Sequence, residues 1–327
     1  MPDIVQVEVS TKCQLNCLMC PLSAFKDVWT GKNMEMDVFL SIPFKRFRYA
    51  HLQGWGEPLL NPSIGDMIEL ASKYCSVGLT TNGLLIEKHI DTLLKTDLVA
   101  VSVGGGKASV HEDVRKSSLE KILNGIKTLS EQRVNKRPRI VIPTLMLRNT
   151  IKSLPQLIDL AHQHGADEVI ANNFDYIPTR HHARFRVFGT KASPEVEEAI
   201  SEAEKRAEEL GIGFTARPRV MEEALVCAEN PVNNCLVTVD GKIAPCVYLH
   251  LPTSSDYISR YFEGREFLVP KVYFGTVQDF DRVWGNRNYR TFRRMFERRL
   301  SLLRQFFSFS PSPLPDVCKT CYKAYSV

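Results

Sequence analysis

Three cysteines, Cys13, Cys17 and Cys20, fall within eight residues, directly after the alternating apolar run Ile4–Val9. Thiolates separated by three and then two residues suit an iron–sulfur cubane, because cysteine is the usual cluster ligand. A cubane has four irons, so three thiolates leave one iron open to a substrate or cofactor. Zinc is the competing metal, since three cysteines with an open fourth position also make a sensible site. A disulfide explains less, because three neighbouring thiols cannot all pair. The chain has nine cysteines, an odd number, and in a reducing compartment such clustering points to metal. Cys227, Cys235, Cys246, Cys318 and Cys321 form a second set toward the other end, and Cys75 reads as a small core residue.

The elements that must position the first set follow a repeating strand–helix pattern. Strand candidates are Ile4–Val9, Phe44–Gln53, Ser76–Thr81, Leu98–Val103, Arg139–Leu147 and Asp167–Ala171. Leu98–Val103 is apolar almost throughout, as in a parallel strand buried on both faces. Helices are expected over about 62–74, 86–94, 119–129 and 154–161. Ser117-Ser118-Leu119-Glu120 gives the third a capping box, and Gly165 closes the fourth. Six strands in about 175 residues argue for a parallel sheet of βαβ units, too short for a closed eight-fold barrel of about 250 residues. A partial barrel fits. Sites in such folds lie at the C-terminal strand ends, where the cysteine loop, Gly54–Pro58, Asn82, Ser102 and Asn172-Asn173 all fall.

With 327 residues, 44% apolar and 24% charged, the chain can hold one large α/β domain and a smaller one. The net charge of +5 favours an anionic substrate or partner without indicating nucleic acid. Met1-Pro2-Asp3 leads almost directly into a strand, leaving no room for a signal peptide, and no apolar run is long enough to span a membrane. A cytoplasmic location is expected.

Cys13-x3-Cys17-x2-Cys20 resembles the signature of the radical S-adenosylmethionine (SAM) enzymes. That resemblance implies a (β/α)6 partial TIM-like barrel and a [4Fe–4S] cluster held by these three cysteines, with SAM chelating the open iron. The reduced cluster passes one electron to the SAM sulfonium, and the resulting 5′-deoxyadenosyl radical abstracts hydrogen from a substrate. Gly54-Trp55-Gly56-Glu57-Pro58 is similar to the family's Gly-Gly-Glu-type motif, so Gly54, Gly56 and Glu57 are expected to hold the SAM amino group through backbone carbonyls. Asn82 and Ser102 match positions that contact the SAM ribose or carboxylate in relatives. Ser102-Val103-Gly104-Gly105 lacks the aspartate common in that stretch. Arg115 resembles an arginine that pairs with the SAM carboxylate, with a surface arginine as the alternative, and Met19 stands where relatives pack an apolar residue on adenine.

Cys227-x13-Gly241-x4-Cys246 and Cys318-Lys319-Thr320-Cys321 resemble the SPASM and twitch extensions of these enzymes, as do Phe274–Val277, Val283-Trp284 and Tyr289–Phe296. The resemblance implies one auxiliary [4Fe–4S] cluster on Cys227, Cys246, Cys318 and Cys321, in a smaller cysteine-rich α+β domain. Cys235 is an alternative ligand or a buried thiol, and a four-cysteine zinc site is the metal-level alternative. Four ligands leave no open iron, which suggests electron transfer or support. Leu236–Ala244 is expected to be a hairpin turning on Asp240-Gly241. The expected division is a barrel over 1–176, a connector and helix over 177–214, and an auxiliary domain over 215–327. His250 reads as a packed or surface histidine. Arg287, Arg290, Arg293, Arg294, Arg298, Arg299 and Arg304 read as a solvated helix face, or as a docking surface for an acidic peptide or electron donor.

The expected function is modification or maturation of a peptide, protein or cofactor precursor, with a donor such as ferredoxin or flavodoxin supplying electrons. A twitch-type small-molecule dehydrogenase is one alternative. A non-catalytic iron–sulfur or zinc electron carrier or scaffold is another.

Overall fold

Strand β1 (Ile4–Val7) lies in the interior of a nine-stranded sheet in the computed structural model, which describes residues 2–301 and 312–327. The others are β2 (Tyr49–Leu52), β3 (Ser76–Thr81), β4 (Leu98–Val101), β5 (Arg139–Met146), β6 (Glu168–Asn173), β7 (Gly213–Ala216), β8 (Asn234–Val237) and β9 (Ile243–Ala244). Their order is β7-β6-β5-β4-β3-β2-β1-β8-β9, and every pairing is parallel except β8 with β9. Consecutive parallel neighbours require crossovers. The helices Ile64–Ser72, Leu119–Gln132 and Leu154–Gln163 supply three of them. Their apolar stripes cover the outer sheet face: Val5 and Val7 of β1 are fully buried, as are Ile122, Ile126 and Leu129 of the long crossover helix. That helix starts one residue later than the Ser117–Glu120 box predicts: the Ser118 hydroxyl accepts from Lys121 N as the cap, while the Ser117 hydroxyl pairs with His111 Nε2.

The expected elements form with shifted bounds: Leu119–Gln132, Leu154–Gln163 and β6 run past the expected ends, and others are shorter. The second strand is confined to Tyr49–Leu52, because Phe44–Arg46 winds into a 3-10 turn after Pro43. The region 86–94 breaks into Ile86–Lys88 and Ile90–Leu93. The sheet continues past residue 176. Helix Pro194–Leu210, closed by Gly211 at φ +66°, returns the chain to β7 beside β6. The Asp240-Gly241 hairpin carries β8 to the free edge of β1, pairing Ile4 with Asn234 and Val7 with Val237. Gly241 has φ +75°, which suits glycine, and a Cβ there would meet Val38 at 2.9 Å. The cysteine-rich segment is thereby anchored on the barrel through a shared ladder. Strands β10 (Tyr257–Phe262) and β11 (Arg265–Pro270) form a separate antiparallel hairpin.

Helix Arg287–Leu300 is not a solvated face throughout. Tyr289, Phe292 and Phe296 are buried, and so are Arg293 and Arg299. Arg293 lies over the rings of Trp284 and Tyr289 at 4.0 and 4.5 Å and donates to Trp284 O. The planar guanidinium packs on aromatic faces while keeping a hydrogen bond, a combination that residue spacing does not reveal. Arg304 lies outside the described residues. No described helix is long and apolar enough to cross a membrane.

Candidate active site

Parallel register brings the ends of β1 to β4 to one rim, and the cysteine loop leaves β1 there. Cys17 is buried; Cys13 and Cys20 are partly covered. Burial pushes the Cys13 thiol up to about 11, and burial with the neighbouring Cys17 pushes Cys20 up to about 12. In the metal-free protein both are thiols at neutral pH, so thiolates form there with the positive charge of iron.

Asn82, at the end of β3, braces this loop. Its amide pairs reciprocally with that of Gln14, at 3.3 and 3.4 Å, and its Nδ2 lies 3.8 Å from Cys13 Sγ. Glu57 in turn holds Asn82: its buried carboxylate accepts from Asn82 N and the Thr81 hydroxyl at 2.7 Å and from Leu59 N at 3.1 Å. Burial raises its carboxyl to about 7 against the pull of those donors. Glu57 N donates to Lys12 O at 2.7 Å. Gly56 lies on the same backbone, where a Cβ would come within 2.5 Å of Ser10 O, and a Cβ on Gly54 would strike the Glu8 side chain. Within Gly54–Pro58, the Glu57 side chain thus faces into the protein and acts as a brace, while the backbone approaches the cysteine loop. Ser102, half-buried after β4, is fixed by its N–H to Thr81 O.

Arg115 is half-buried, not a surface arginine. Its carbonyl accepts from Cys17 Sγ at 3.5 Å, and its Nε is buried without a hydrogen-bond partner. A buried orphan guanidine N–H beside three thiols suits a carboxylate. Met19 is buried with Leu15, Val114 and Leu147.

The second cysteine set divides. Cys227, Cys246, Cys318 and Cys321 line one cavity with Tyr248, Arg260, Phe292, Phe296 and Lys323. Burial pushes Cys227 up to about 12 and the other three above their ordinary range. Arg260, itself buried, partly offsets that rise at Cys318 and Cys321 through its charge; its Nη2 donates to Val317 O at 2.8 Å and its Nε has no hydrogen-bond partner. A guanidinium enclosed with four thiols fits a thiolate-bound cluster, whose charge it would offset. Cys235 does not line that cavity: it sits on β8 opposite Val5, packs in the main apolar core, and shares a neighbouring cavity with Cys246 alone of the four. Among the described residues, no three His, Cys, Asp or Glu side chains gather around a single metal ion.

A polar shell lies between the two cysteine sets; the sequence marks Asp175 and Tyr176 as loop residues after the last barrel strand and His250 as a histidine near Cys246, but not their partners. Asp175, after β6, pairs with Lys323 at 2.8 Å and accepts from the Tyr248 hydroxyl at 2.8 Å. Trp55 packs on Tyr176 and Tyr248, with ring centroids 5.2 and 6.2 Å away. Glu8 and His250 form a buried pair at 2.8 Å. A carboxylate closing an apolar strand just before the cysteine loop was the available signal for Glu8.

The family model of the radical SAM superfamily matches residues 7–161, and that of the SPASM iron–sulfur cluster-binding domain matches residues 227–322. The chain belongs to the radical SAM superfamily. It is a radical SAM enzyme with a C-terminal SPASM domain, and its cofactors are SAM with a [4Fe–4S] cluster and an auxiliary cluster. Among curated relatives, the enzyme is 21% identical to the GTP 3′,8-cyclase of Chlorobaculum tepidum, over 76% of this chain and 79% of that protein. SuiB of Streptococcus suis bound to S-adenosylmethionine shares its fold at a TM-score of 0.66 and 12% identity, covering 98% of this chain and 77% of the other. SuiB bound to the precursor peptide SuiA aligns at 0.61 and 12%, over 100% and 71% of the two chains. Native anSMEcpe with bound AdoMet aligns at 0.63 and 16%, over 99% and 96%.

Proposed function

We propose that this radical SAM enzyme modifies a peptide, protein or cofactor precursor by hydrogen abstraction, with Cys13, Cys17 and Cys20 holding the catalytic cluster. Cys227, Cys246, Cys318 and Cys321 hold the auxiliary cluster. When bound, the reduced cluster and SAM supply a 5′-deoxyadenosyl radical. The protein's own residues do the rest. Gly54 and Gly56 would let the backbone approach the SAM amino group, Arg115 would serve its carboxylate, and Asn82 and Ser102 would serve its ribose or carboxylate. Met19 and its apolar neighbours keep water from the adenine side. Electrons come from a small carrier such as ferredoxin or flavodoxin.

The observation that carries this reading is the gathering of four thiols, from three separate segments, around one cavity with Arg260. Four thiolates occupy every iron of a cubane, which suits electron transfer or support rather than substrate ligation. The folds of SuiB with its precursor peptide and of anSMEcpe support the peptide side of the proposal.

A nucleotide substrate is the second reading, favoured by the similarity to the GTP 3′,8-cyclase. Against it, the cavity beside the second cysteine set is lined by Gln6, His51, Gln53, Asn234 and Glu229 together with Ile4, Ala228, Cys235, Pro245 and Cys246. Amides, a half-buried imidazole, a carboxyl and apolar groups supply no Lys or Arg to clamp a triphosphate. The test is 5′-deoxyadenosine formation by the reconstituted enzyme. A cognate peptide precursor should stimulate it and GTP should not; stimulation by GTP would favour the second reading.

A further inference from the structure

Glu8 follows β1 directly and is fully buried. Its Oε1 accepts from Trp55 N at 3.2 Å, and its Oε2 accepts from Val239 N at 3.3 Å and His250 Nε2 at 2.8 Å. The other imidazole nitrogen, Nδ1, meets the Tyr273 hydroxyl at 2.7 Å. The acceptor-only carboxylate fixes an N–H on Nε2, and the Tyr273 hydroxyl, which can donate or accept, holds the ring from its other side. Trp55 is held by His250 a second time, because its indole N–H donates to the His250 carbonyl at 2.8 Å. Gly54 lies against the same carboxylate side chain, where a Cβ would come within 2.2 Å of Glu8 Cγ.

Glu8 and Trp55 belong to the barrel, whereas Val239, His250 and Tyr273 come from the cysteine-rich segment. His250 is tied to the auxiliary cavity as well. Cys246 caps the 3-10 turn Val247–Leu249, with Leu249 N donating to Cys246 O at 3.2 Å and His250 N to Val247 O at 3.1 Å. One short turn therefore separates a thiol of that cavity from the residue that grips Trp55.

We propose that Glu8, His250 and Tyr273 are positioning residues for SAM, fixing Gly54–Gly56 from the C-terminal domain and linking that segment to the turn beginning at Cys246. The proposal rests on the reading that this segment holds the SAM amino group. Neither Glu8 nor His250 touches SAM in this scheme. They act by holding the glycine backbone where its carbonyls serve an ammonium, and a misplaced segment weakens SAM binding rather than the later chemistry.

The test uses the fully reconstituted enzyme and two readouts, the KM for SAM in dithionite-driven 5′-deoxyadenosine formation and a titration of the reduced-cluster EPR signal with SAM. His250→Leu, which removes the donor to Glu8, should weaken SAM binding about tenfold in both, with turnover at saturating SAM within about twofold of wild type. His250→Gln, whose amide can replace Nε2–H, should restore most of the affinity. Should His250→Leu not fold, Tyr273→Phe carries the test with an expected rise of about threefold. Variants that bind SAM as wild type does, or that lose turnover alone, overturn the proposal. A wild-type protein that binds no SAM overturns both it and the reading beneath it.

Discussion

Arg299→Met should release the auxiliary cluster while leaving the SAM site intact. The Arg299 side chain is fully buried on helix Arg287–Leu300 and makes a set of bonds to the segment leading into Cys227. It donates through Nε to Leu225 O at 2.9 Å and through Nη2 to Ala224 O at 2.8 Å and Glu223 at 2.7 Å; Nη1 donates to Ser312 O. Methionine keeps much of the stem's packing but none of the donors. A hydrogen bond to a charged group contributes about 1.5–3 kcal/mol. Glu223 is half exposed and can turn to water, so the two Leu225 and Ala224 carbonyls dominate, and the expected loss is about 3 kcal/mol. Arg299→Lys keeps the charge without the fork and should lose most of the same amount. Hydrogen exchange locates the effect. Ala224 N, bonded to Ala324 O, and Asn230 N, bonded to Cys227 O, should exchange about a hundredfold faster, because about 2.7 kcal/mol is two factors of ten. Iron should fall from about eight toward about four per chain. Unchanged exchange at Ala224 together with full iron content would refute the reasoning.

Cys227→Ala should likewise lose the auxiliary cluster, whereas Cys235→Ala should keep all the iron and cost about 1–2 kcal/mol in a urea melt from its core packing. Asn82→Ala removes the amide pair with Gln14; cleavage of SAM should fall about tenfold with iron retained, as measured by 5′-deoxyadenosine yield. Burial lowers His51 and His111 to about 4, so both are neutral in the fold and protonate near 6.5 when unfolded. Their contribution is complete above pH 6.5 and is lost as pH falls from 6.5 toward 4, with a ceiling of about 3 kcal/mol each. Urea midpoints should drop between pH 7.5 and 5, and His111→Gln, which removes one of the two titrations, should reduce that drop.

Periodicity made the barrel legible. Strands with buried alternate residues and helices with one apolar stripe carry a signal at fixed spacing, and the positions of β1 through β6 follow from it. The edges were less legible because they depend on distant pairing. Nothing local in Asn234–Val237 says that it will extend β1 on the side away from β2, or that Gly213–Ala216 will pair with β6. The cysteine motifs marked the reacting ends through soft ligands at short spacing. Their braces left no such mark. Glu8 and His250 lie 242 positions apart in sequence, and only the fold brings them together. The arginines of helix Arg287–Leu300 show the same limit: spacing sets which helix face a residue occupies, but burial of Arg293 and Arg299 depends on the aromatic rings and carbonyls that meet that face.

Iron content and SAM cleavage, read together in wild type and in Cys17→Ala after anaerobic reconstitution, test the two-cluster account most directly. The wild-type chain should hold about eight irons and form 5′-deoxyadenosine when reduced with SAM present. Cys17→Ala should hold about four, keep the spectrum of the C-terminal cluster, and form none. Zinc in place of iron at the cysteine sites, or cleavage of SAM by the Cys17→Ala protein, would contradict the account.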